Sequence, residues 1–112
     1  MTTSSSFSNY FPFERLDAYQ LAVSVNRRIA RLSWPSGRSH LRDQALRAAD
    51  SAVLNLAEGW ERGRHTRVGK NHFRIAKGSA GEAFACIDLV GLDDAIAADL
   101  QRLGAMLAKL AR

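Results

Sequence analysis

The stretch QALRAADSAVLNLAEGWER, residues 44–62, decides how this chain folds. Together with Leu41 just before it, Ala45, Ala48, Ala49, Ala52, Leu56 and Trp60 recur at three- and four-residue steps, the period of a helix that buries one side. The polar residues are equally ordered. Gln44, Arg47, Ser51, Asn55 and Glu58 follow one another at three, four, four and three positions. At about 100° per residue they fall within an arc of roughly 80°. The apolar residues from Leu41 through Ala57 cover nearly the remaining half, wider than the stripe of about 100° that a surface helix needs. That excess width predicts a second covered surface, and so self-association. Gly59 suits close packing near the helix end.

The same period runs outward in both directions. Upstream, a helix is expected from about Glu14 to Leu32, with Leu16, Tyr19, Val23, Asn26 and Ala30 on one side and Ile29 beside them. It ends at SWPSGRS, residues 33–39, where Pro35 and Gly37 interrupt the chain and Ser36 or Ser39 can cap the next helix. That second helix spans about His40 to Glu61. After RGRH, residues 62–65, Thr66 caps a third helix reaching about Val90 with the face Phe73, Ala76, Ala80, Ala83, Phe84 and Ile87. The fourth starts at Asp93 or Asp94 and carries Ile96, Leu100, Leu103, Met106, Leu107 and Leu110. Its acidic start and its basic end at Lys109 and Arg112 suit the helix dipole.

Short connections between long amphipathic helices force antiparallel neighbours, so the expected fold is all-α, an up-down-up-down four-helix bundle. The alternative is three helices with a bent third segment, because Gly78 and Gly81 weaken that stretch. At 112 residues the chain makes one domain. We expect the bundle at residues 13–112 behind a flexible Ser/Thr-rich tail at 1–12. That tail, within MTTSSSFSNYFPF, lacks the basic and apolar regions of a secretory signal. No run approaches the roughly 20 apolar residues of a membrane span. The single cysteine, Cys86, excludes an internal disulfide and fits a reducing compartment, so a cytoplasmic location is expected.

The polar stripe admits two roles. In the structural one, Asn55 and Glu58 hydrogen-bond a neighbouring helix or loop backbone and set the register of closely packed, Ala-rich helices. In the other they form a ligand or catalytic cluster, but Glu58 has no evident partner acid, base or nucleophile. A hydrolase or nuclease built on Glu58 or Glu82 would likewise lack metal-binding company. His40, His65, His72 and Cys86 have no zinc spacing. Ser79 sits in no nucleophile elbow, and KGSAGE, residues 77–82, is not a phosphate-binding loop. No catalytic residue, cofactor or metal is expected.

Charge gives the stronger signal. Arg62, Arg64, Arg67, Lys70, Arg74 and Lys77 follow one another with no Asp or Glu among them, so this stretch carries +6 in a chain whose net charge is +5. Arg67, Lys70, Arg74 and Lys77 share one face of the third helix at spacings of three, four and three. A row of cations on a rigid element suits phosphate backbones, because each neutralised phosphate releases counterions. No base-reading motif accompanies the row, so binding would be directed at backbone or shape.

QALRAADSAVLNLAEGWER followed by NHFRIAKGSAGEA, residues 71–83, resembles the bacterial four-helix bundle proteins encoded within ribosomal-RNA (23S rRNA) intervening sequences. That family includes the accessory proteins of diversity-generating retroelements. The likeness rests on Gln44, Arg47, Ser51, Asn55, Ala57, Glu58 and Gly59 in the second helix, and on Phe73, Ala76, Gly78, Ser79 and Glu82 in the third. FERLDAYQLA, residues 13–22, is similar to the family's first helix. Gly81 and Ala83 depart from it, standing where bulkier or more helix-favouring residues are common. The resemblance implies a ring-like homopentamer associated with RNA or DNA and, where one is encoded beside it, with a reverse transcriptase. The expected function is therefore a non-enzymatic, homo-oligomeric nucleic-acid-binding bundle. The alternative is a protein–protein interaction scaffold with no nucleic-acid role.

Overall fold

The structure, a computed structural model, describes residues 11–112. A 3-10 turn at Pro12–Arg15 leads into α1 (Asp17–Ala30), α2 (Ser39–Glu61), α3 (Arg67–Val90) and α4 (Asp94–Leu110). Helices adjacent in sequence are adjacent in space, and α1 closes the bundle against α4; the diagonal pairs make no comparable contact. This is the expected up-down arrangement. Most of the expected tail, residues 1–10, lies outside the described residues. Phe11 stacks on Phe13 with ring centroids 5.4 Å apart, and Phe13 meets Tyr19 edge-on at 4.9 Å.

The faces of α2, α3 and α4 follow the periodicity. Leu41, Ala45, Ala48, Ala49, Ala52 and Leu56 are buried on α2, opposite Phe73, Ala76, Ala80, Ala83 and Ile87 on α3. Ile96, Leu100, Leu103 and Leu107 fill the α4 side. Each large side chain held this way contributes about 1.5–3 kcal/mol relative to exposure. α3 runs unbroken through Gly78 and Gly81, so the three-helix alternative falls. A helix of 24 residues packed on both α2 and α4 outweighs the local cost of two glycines.

The face of α1 is a correction. Ala18, Leu21, Ala22, Val25 and Ile29 are buried, while Tyr19, Val23 and Asn26 are half-buried and Ala30 is exposed. The observed face lies about a third of a turn from the expected one. Large apolar residues lie on both sides of this helix: Leu21, Val25 and Ile29 enter the core with Ala18 and Ala22, and Leu16 and Tyr19 pack at its margin. The helix also begins at Asp17 rather than Glu14, because Glu14 belongs to the 3-10 turn and accepts from the Phe11 N–H at 3.0 Å.

The turns use different chemistry. At 62–66, Gly63 takes φ +110° and Thr66 serves both ends. Its hydroxyl donates to the Gly63 carbonyl at 2.7 Å and accepts from the Gly69 N–H at 3.0 Å, as a helix cap. Between α3 and α4, Gly91 turns left-handed at φ +69°, and Asp93 caps α4 by accepting from the Ile96 N–H at 2.9 Å. α2 has no side-chain cap: Arg38 holds the N-cap position, and Ser39 is already inside the helix. Neither serine expected there performs that task.

The α2–α3 hairpin is tightest just past this turn. A Cβ on Gly59 would lie 2.8 Å from the Gly69 carbonyl oxygen and 2.7 Å from the Phe73 ring, and one on Gly69 would overlap the Gly63 carbonyl oxygen. The two backbones are in direct contact there.

Candidate functional site

The polar stripe of α2 lies along its seam with α3. Gln44 Nε2 donates to Glu82 Oε2 at 2.9 Å, and the Ser51 and Ser79 hydroxyls meet at 2.7 Å. Asn55 Nδ2 donates back to the Ser51 carbonyl at 3.0 Å and to its hydroxyl at 3.1 Å. That carbonyl can only accept, so Asn55 turns Oδ1 toward His72, whose Nδ1 lies 2.9 Å away and donates. Four residues thus form a half-buried chain across the seam, and a shift in helix register would break it. Replacing Asn55 by Ala should cost about 1 kcal/mol in a urea titration, since His72 and Ser51 lose their shared partner at a site that water reaches.

Glu58 behaves differently from the expectation. It makes no bond to a neighbouring helix; its Oε2 accepts from Arg62 Nε at 2.7 Å, one turn on in the same chain segment. Seen on a helical wheel, Glu58 points farther from α3 than Asn55 does, so Arg62 is the nearer partner. That hydrogen bond, then the Arg62 charge, then the His72 charge, hold the Glu58 carboxyl below its ordinary value. A depressed carboxyl favours the folded state above the unfolded value and loses that effect as pH falls through the folded one. Wild type and Glu58→Gln should therefore differ slightly above pH 4.5 and converge in acid, when their urea midpoints are followed with pH at low salt. Arg47 completes the stripe as an exposed side chain with no hydrogen bond or ion pair among the described residues.

Sequence reasoning missed three of the polar ties. Asn26 on α1 donates to Asp50 on α2 at 2.8 Å, and Arg28 on α1 pairs with Asp99 on α4 at 2.7 Å. His72, considered only as a metal ligand, belongs to the seam. Its spacing to Asn55, seventeen positions away around a turn, carries no local pattern.

The basic row divides in two. Arg62 is engaged by Glu58, Arg64 stacks over Trp60 with its guanidinium 4.6 Å from the ring centroid, and Arg74 donates to the Ala111 carbonyl at 3.2 Å, closing the last turn of α4. Arg67, Lys70 and Lys77 have no partner among the described residues. They stand on the outer face of α3, with Arg67 and Lys77 exposed and Lys70 half-exposed. Lys77 and Arg74 also line the groove between α3 and α4.

Among the described residues, no group of three or more His, Cys, Asp or Glu could hold a metal ion, and no helix is long and apolar enough to cross a membrane. Cys86 is buried, and burial first, then the Glu82 charge, push its thiol up, away from the reactive thiolate. Ser79 is occupied by Ser51.

These features define a small helical-bundle protein, tied internally by a polar seam and carrying a cationic outer face on one helix. More particularly, the chain belongs to the 23S rRNA-intervening sequence protein family, whose model matches residues 14–111. The comparison with curated proteins found no match.

Proposed function

We propose that the protein is a non-enzymatic, cytoplasmic, homo-oligomeric bundle that binds RNA or DNA backbone through the outer face of α3. One observation carries this: Arg67 and Lys70 stand on a rigid helix with no carboxylate to neutralise them. A flexible or internally paired cation would gain less from a phosphate. Family membership supports the ring-like homopentamer, in which weak sites repeated around the ring would add through multivalency. It also supports an RNA-linked role, alongside a reverse transcriptase where one is encoded nearby. The seam residues Gln44, Ser51, Asn55, Ser79 and Glu82 act structurally in this proposal.

The test is Arg67→Gln together with Lys70→Gln. Arg74 is left in place because it holds α4, and Lys77 because it lines a groove. Fluorescence anisotropy with labelled single-stranded RNA and with duplex DNA, across about 50 to 200 mM salt, should give a log–log slope smaller by about 1.4–1.8 in the variant. The urea midpoint should not move. Wild type that binds neither probe, or a variant with unchanged affinity and slope, would reject nucleic-acid binding.

The scaffold alternative has an observation of its own. Leu54 is 66% exposed and Leu89 is 64% exposed, apolar side chains that a partner protein could cover.

A further inference from the structure

Glycine inside a helix costs stability relative to alanine, so each one calls for a reason. Gly59 and Gly69 have theirs in the backbone contact between α2 and α3. Gly78 and Gly81 on α3 and Gly104 on α4 have none among the described residues, because a Cβ at any of them would meet no described atom within 4 Å. All three line one groove of about 490 Å³ between α3 and α4. Phe84 and Leu100 supply apolar surface there, Arg74 and Lys77 supply charge, and no acidic residue lines it. Such a groove accepts a helix whose exposed side carries an apolar knob flanked by carboxylates.

The chain carries such a helix face itself. Asp43, Arg47, Asp50, Leu54 and Glu61 follow at four, three, four and seven positions on α2 and are all exposed. Leu54, at 66%, is the most exposed large apolar side chain among the described residues. The wide apolar face of α2 is partly buried against the core at Leu46 and Val53 and left bare at Leu54.

We infer that this α2 strip docks into the α3–α4 groove of a second copy, with Leu54 over the glycines and the carboxylates toward Arg74 and Lys77. The inference rests on the homo-oligomer proposed above and specifies its contact. The two surfaces differ, so the contact is heterologous: each copy offers a strip to one neighbour and a groove to another, and the chain of contacts closes into a ring or continues as a filament. Lys77 is then an assembly residue, and Arg67 and Lys70 remain for an anionic partner.

The test uses the full chain and two variants. Leu54→Asp removes the knob from an exposed position, and Gly81→Leu fills the groove where the fold has room; Gly104→Leu is a second groove block. Circular dichroism and urea midpoints establish that each variant is folded. Sedimentation velocity should give an oligomer for wild type and a monomer of 12.3 kDa for each variant. An equimolar mixture of Leu54→Asp and Gly81→Leu should give a species of twice the chain mass and nothing larger, since one intact strip meets one intact groove. Variants that keep the wild-type mass would overturn this contact while leaving the homo-oligomer intact. A mixture that stays monomeric would overturn the heterologous pairing. A monomeric wild type would remove the homo-oligomer itself, along with this contact.

Discussion

Gly69→Ala is expected to destabilise the bundle by about 3 kcal/mol, at the severe end of overpacking effects. The added methyl would overlap the Gly63 carbonyl oxygen and lie 2.7 Å from the Gly59 carbonyl oxygen. Both obstacles are backbone, so no rotamer change relieves them; the α2–α3 turn or the helix crossing has to open. Opening it also strains the Thr66 cap, whose hydroxyl joins the Gly63 carbonyl to the Gly69 N–H. Gly78→Ala is the control, because the same methyl there enters open space. It should stabilise the dilute chain by about 0.5–1 kcal/mol. Urea titrations at one low protein concentration would then give opposite signs for one chemical change made nine residues apart. Equal midpoints for Gly69→Ala and wild type would show that the crossing has room for a methyl group.

Phe73→Ala should cost about 3–5 kcal/mol, the range for emptying an aromatic site in a core. Phe73 is fully buried and its ring edge lies over Gly59, where α2 and α3 already touch through backbone. The helices cannot move closer to fill the void, so the upper part of that range is expected. A double-mutant cycle adds a sharper measurement. In wild type a Cβ on Gly59 meets the Phe73 ring and the Gly69 carbonyl oxygen; with Phe73 already replaced, the ring contacts are gone and the carbonyl contact remains. Gly59→Ala should therefore be less harmful in the Phe73→Ala background, with a coupling of about 0.5–3 kcal/mol. Strict additivity would mean that the ring does not limit residue 59.

Much of this architecture is legible in local pattern. The apolar period of α2, α3 and α4, the Thr66 and Asp93 caps and the polar stripe all depend on residues within a few positions of one another. Helical geometry turns such spacings directly into faces. α1 was less legible because large apolar residues lie on both of its sides. Leu16, Tyr19 and Val23 mark one side and Leu21, Val25 and Ile29 the other, and only contact with α2 and α4 chooses between them. The start of α2 was misjudged for a related reason: two serines near Gly37 satisfy a capping pattern, but the turn brings Arg38 to the cap position instead.

The basic row illustrates the same division at the candidate site. Its six cations are equivalent as a sequence pattern. Their availability depends on what each one meets: Glu58 for Arg62, the Trp60 ring for Arg64 and the end of α4 for Arg74. Only the first two partners lie close in sequence. Ala111 is reached across the bundle, so no spacing rule could have set Arg74 apart from Arg67.

By itself, the sequence determined that this chain makes four amphipathic helices with a polar line along the second, because helix period and capping are properties of near neighbours. Tertiary structure alone decided which side of α1 is buried, which glycines are required by a backbone crossing and which are open, and which cations remain unpaired. Each of those depends on distances between residues far apart in the chain, and such distances exist only once the helices have packed.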